Sequence, residues 1–293
     1  PASNVNSPTP VNPSSAACSA GPEPFFAPPD PTRAPPMEIH QKFPASLPDM
    51  FRALWRNRDL LYRLIVREVV GRYRGSFFGL AWSFFHPLLM LGIYTIVFSM
   101  VFQARWTDQE AHPVAFSLVL FVGMILHGFF SECLVRAPVV ILSNANYVKK
   151  VVFPLEILPP AALGSALFHA AISFVVLLGM FVAFHGLPPP TLLLAPVLIL
   201  PLVLVALGAS WFLASLGVYV RDVGQMASVL STVLLFISPV FYPASAVPAA
   251  LRWLMRLNPL AVTIGHMRAA ALWGQLPDPR HPPAWAPRRC RRA

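Results

Sequence analysis

The chain has 293 residues, of which 56% are apolar and only 12% charged, and its mean hydropathy is +0.61. Soluble domains carry about 25% charged residues, so the composition excludes an ordinary water-soluble protein. The charge is lopsided, with 22 Lys and Arg against 12 Asp and Glu. Most of the basic residues stand just before an apolar run, which suits anionic lipid headgroups and argues against nucleic acid as a partner.

In chain order, residues 1–45 read as a Pro-rich extension. From Pro1 to Pro36 there is no apolar periodicity, so ordering entropy would go uncompensated and disorder is expected. There is no basic start followed by an apolar stretch, so this is not a signal peptide. Met37 opens the part that looks organised and is the expected start of translation. Residues 46–75 predict an amphipathic helix in the membrane interface. Leu54, Leu61, Ile65 and Val69 form one face, and Arg56, Arg63, Arg67 and Arg74 another. Ser46 and Asp49 suit its start. A basic helix of this kind brings arginines such as Arg63, Arg67, Arg72 and Arg74 to lipid headgroups.

Residues 76–274 predict a transmembrane domain. A spanning helix needs about 20 mainly apolar residues, and five runs supply them: Phe77–Phe102, Val114–Val135, Leu155–Phe184, Leu192–Val220 and Val223–Tyr242. None alternates as a barrel strand does, so an all-α integral membrane fold with five full spans is expected. Pro87, Pro196, Pro201 and Pro239 read as kinks, and Pro188 to Pro190 as a stiff turn. Arginines before the first span, Arg136, Lys149 and Lys150 after the second, and Arg221 after the fourth place the N-terminus in the cytoplasm. Two shorter apolar segments, Val247–Leu257 and Leu260–Trp273, are separated by Asn258-Pro259 and predict a re-entrant helical hairpin on the outer face. His127, Glu132 and His169 stand near or within spans, where ionisable groups face the protein interior. They share no motif spacing that would suggest a metal site. Cys18, Cys133 and Cys290 are likewise too far apart to suggest one, and Cys133 reads as a packing residue.

Several strings resemble the membrane subunits of ABC exporters for polysaccharide, O-antigen or teichoic acid. They are Arg67-Glu68, Arg72-Tyr73-Arg74, Ser76, Trp82 and His86-Pro87-Leu88, then Ser143 to Pro159, Val220 to Val223, Ser238 to Pro243, and Asn258-Pro259. The resemblance covers Ser46 to Pro277. It implies a permease of two copies served by separate ATP-binding subunits in the cytoplasmic (inner) membrane. No GxxxxGK[ST] loop occurs in this chain, so ATP and magnesium are expected on the partner and no cofactor here. The resemblance also implies a coupling loop, in which Asn146, Lys149, Lys150, Phe153, Pro154 and Glu156 would meet the ATPase.

A sugar chain presents apolar CH faces that suit aromatic rings. Trp82, Phe84, Phe85 and Tyr94 on the first span, with Phe236, Phe241 and Tyr242 on the fifth, are therefore candidates to line the path of a lipid-linked polysaccharide. An exporter of drugs or small lipids is the alternative. A membrane glycosyltransferase would need clustered acidic residues, and here they are scattered. One departure stands out: the family's sixth span has no counterpart, and residues 275–293 are instead rich in Pro and Arg. A truncated or frame-shifted end is the expectation there.

Overall fold

The structure is a computed structural model, which describes residues 47–101, 113–144, 154–243, 247–248, 250 and 252–275. The chain divides into two units, Pro1–Leu47 and Pro48–Ala293, and apart from Leu47 the described residues lie in the second. They are helical or irregular, with no strand among them.

The arm expected as one interfacial helix is two helices, α1 (Leu47–Arg56) and α2 (Arg58–Tyr73). Asn57 stands between them with its side-chain amide donating back to the Ala53 carbonyl at 2.9 Å. An amide side chain that bonds the preceding turn competes with the helix ladder, which is why Asn marks helix ends. Ser46 and the Pro-rich extension lie outside the described residues. The apolar face of the arm does not lie bare on the bilayer: Leu54, Leu61 and Ile65 pack with buried Leu64 onto Ile157 and Ala161.

Among the described residues, four helical segments are long and apolar enough to cross a membrane: Gly79–Phe98, Phe116–Ser143, Leu155–His185 and Pro190–Tyr219. Their cores are α3 (Trp82–Tyr94), α4 (Pro113–Ser143), α5 (Leu158–His185) and α6 (Ala195–Tyr219). The helix of α3 widens to a π-helix over Thr95–Val101, where the Thr95 hydroxyl reaches Ser117 of α4 at 3.0 Å. The fifth run forms α7 (Val223–Ile237), of 15 residues, so it is about 22 Å long against a hydrocarbon thickness of about 30 Å. It stops before Pro239, which cannot extend the hydrogen-bond ladder. Beyond it come two short helices, α8 (Arg252–Leu257) and α9 (Pro259–Leu272), with Asn258 between them.

The helices are not equivalent. In α4, 72% of the apolar window is buried inside the protein, against 17% in the first crossing segment and 22% in each of the other two. α4 is the axis on which the rest is hung, and its neighbours present their outer faces to lipid. It also runs further than the apolar run implies, to Ser143, so that Arg136 is carried on it and Pro138 lies in its interior. Close approach to α6 is possible because Gly217 has no side chain. A Cβ built there would collide with the Pro138 carbonyl oxygen.

Candidate functional site

One end of the bundle carries the arm. There α2, α4 and α5 are joined by charge. Two segments carry the same spacing, an acid followed four residues later by arginine: Glu68 and Arg72 on α2, Glu132 and Arg136 on α4. They cross-pair. Arg72 binds Glu132 while Arg136 binds Glu68, and Arg136 also reaches Glu132 at 3.1 Å on its own helix. From α5, His169 brings Nδ1 to 3.1 Å from an Arg72 nitrogen and 3.7 Å from Glu132.

The pairs are only partly solvated, with Glu132 side-chain exposure at 20% and Arg72 at 38%. Their attraction is therefore less screened than at an open surface, and losing one member strands the others. Tyr73 lies edge-on to His169, with ring centroids 5.9 Å apart. Partial burial pushes its phenol above the ordinary range, with Arg72 pulling it down and Glu132 pushing it up.

Above this cluster opens a cavity of about 550 Å³, with Arg72, Glu132 and His169 at its polar side and Trp82, Tyr94 and Phe121 among its rings. A volume of this order holds a small-molecule ligand or part of a larger one. The cavity takes in two of the rings read from the sequence as path-lining, Trp82 and Tyr94.

The other candidate rings lie elsewhere. Phe85 is exposed, its ring edge-on to Trp82 at 5.5 Å and parallel to Phe78 at 6.4 Å. Phe84 is also exposed, as is Phe236. Phe241 stacks on Phe98 of the first span at 6.2 Å. The Tyr242 hydroxyl donates to the carbonyls of Phe236 and Ile237, at 2.7 and 3.2 Å, closing the free end of α7.

Of the arginines expected at headgroups, Arg63 and Arg74 are exposed. Arg67 reaches Asn144 at 3.4 Å, where α4 ends. Asn146, Lys149, Lys150 and Phe153 lie outside the described residues. Pro154 and Glu156 are at the head of α5, where the Glu156 carbonyl accepts from the Trp211 indole at 3.0 Å.

The opposite end of the bundle holds a second polar centre that the sequence reading missed. Arg268 of α9 is buried, and its guanidinium donates to three main-chain carbonyls: Val119 at 2.8 Å, Pro239 at 2.6 Å and Val240 at 2.9 Å. Asn258 accepts from the Leu260 amide at 3.0 Å, capping α9, and donates to the Ser238 hydroxyl at 2.9 Å. Midway along α4, His127 lies 3.1 Å from the Ser231 carbonyl of α7.

Both centres fall within residues 59–272, the stretch that matches the family model of ABC-2 type transporters. The chain belongs to the ABC-2 type transporter family. Its relatives include a protein of Myxococcus xanthus named O-antigen export system permease protein RfbA, 29% identical over 231 residues, which are 78% of this chain and 86% of that one. Two proteins of the same name from Klebsiella pneumoniae are 25% and 24% identical over 220 residues, 74% of this chain and 82% of each. As an ABC-2 chain, this is a multi-pass membrane protein whose work depends on an ATP-binding partner.

Proposed function

We propose that this chain is the permease subunit of an ATP-driven exporter of O-antigen or a closely related lipid-linked polysaccharide. The observation that carries the reading is the similarity to O-antigen export permeases, which extends over most of the chain. The cavity lends support, since its aromatic rings suit the apolar faces of sugars while Arg72, Glu132 and His169 offer polar partners for hydroxyls.

In this reading two copies act together in the inner membrane. The arm lies on the cytoplasmic side, and the ATP-binding subunit docks on the loop from Asn146 to Glu156. ATP is hydrolysed on that partner. The ends of the loop are well placed to transmit a push: Asn144 is held by Arg67 of the arm, and Glu156 by Trp211 of α6.

The test is co-purification of the full chain with the ATP-binding subunit, alongside complementation of a strain lacking its O-antigen permease. Polymer should return to the cell surface with the native chain. Lys149→Glu, Lys150→Glu and Phe153→Ala should lose both the partner and the polymer. Capture of the partner without any polymer at the surface would favour the drug or small-lipid alternative.

A further inference from the structure

Arg268 is the most deeply placed cation among the described residues, and its guanidinium binds three main-chain carbonyls. Its three carbonyls come from two separate pieces of chain. Val119 belongs to α4, while Pro239 and Val240 form the extended link that leaves α7. The planar guanidinium is a fork of five donors, and it holds acceptors in a fixed array in a way a lysine cannot. In a lipid-surrounded interior, such bonds have no water to replace them.

The site is shaped for this side chain. Gly123, one turn along α4 from Val119, is the notch in which the guanidinium sits: a Cβ built there would stand 2.7 Å from an Arg268 nitrogen. Asn258 ties the start of α9 to Ser238 on the same link. Link, α9 and this end of α4 are thereby made one body. The other end of α4 is held to the arm by Glu132 and Arg136, 13 residues and about 20 Å from Val119.

Resting on the permease reading, we propose that Arg268 is a positioning residue for export. It fastens the outer hairpin to α4, so that a displacement of the cytoplasmic arm reaches the hairpin through that helix. α4 suits the task because it is the buried axis, and packed interiors transmit displacement rather than absorb it.

The experiment uses the full chain assembled with its ATP-binding partner. It reads ATP hydrolysis per assembled complex and polymer delivered per ATP hydrolysed. Arg268→Lys keeps the charge but loses the fork. The expected result is a complex that assembles and hydrolyses ATP while delivery per ATP falls about tenfold, the scale of coupling between distant sites.

Gly123→Ala attacks the lock from the other side and should give the same uncoupling, with little further loss when added to Arg268→Lys. Unchanged delivery per ATP in both variants overturns the proposal. Equal losses of hydrolysis and delivery also overturn it, because a merely structural role has that signature. If Arg268→Lys fails to accumulate, Gly123→Ala alone decides. Failure of the native chain to assemble with the partner overturns the permease reading itself, and the proposal with it.

Discussion

Glu132 shows what a single side chain can decide in this molecule. It accepts from Arg72 of the arm and Arg136 of its own helix, and lies beside His169 of a third. Glu132→Gln takes from Arg72 its carboxylate partner in a partly buried site. A loss of about 1–3 kcal/mol is expected, between the values for exposed and buried pairs, and thermal unfolding in detergent measures it. A double-mutant cycle on Glu68→Gln and Arg136→Met should show non-additivity above about 0.5 kcal/mol, since contacting residues couple and distant ones do not. Gly217 acts through its lack of a side chain. Gly217→Ala forces α4 and α6 apart against the Pro138 backbone, which is unable to rotate away as a side chain would, and about 1–3 kcal/mol should be lost.

For whole elements, the contrast is between what periodicity reveals and what it hides. The apolar runs were legible as helices because length and hydropathy are properties of one segment. The break between α8 and α9 was legible because Asn258-Pro259 interrupts the apolar pattern there. The crossed pairs were harder to see. Glu68 and Arg72, like Glu132 and Arg136, stand four apart in plain sight, but the pairing runs between helices and no single-segment pattern records it. Arg268 was hidden for the same reason: in the sequence it is one arginine in a short apolar stretch, and its three acceptors are main-chain atoms, which every residue has. The end of α7 is hidden in the sequence because hydropathy continues to Tyr242 while Pro239 ends the helical bonding. One element-scale prediction follows from the cap on α9. Asn258→Ala removes the acceptor for Leu260 and the donor to Ser238, and should lower stability by about 1–2 kcal/mol, visible as a lower unfolding midpoint.

At the level of the whole molecule, orientation is testable by labelling single cysteines with an impermeant thiol reagent in right-side-out vesicles, in a background with the native cysteines replaced. Leu187→Cys, in the exposed turn after α5, should be labelled from outside. Arg221→Cys, in the exposed joint between α6 and α7, should be labelled only after the membrane is opened. The reverse pattern would invert the topology read from the positive charges. The Arg268 lock also has a bearing on how the chain is made. Its most distant acceptor, Val119, lies 149 residues earlier, and ribosomes add about 5–20 residues per second. For roughly 7 to 30 s, α4 therefore waits in the bilayer with its notch unfilled, and the chain closes on itself only as α9 emerges.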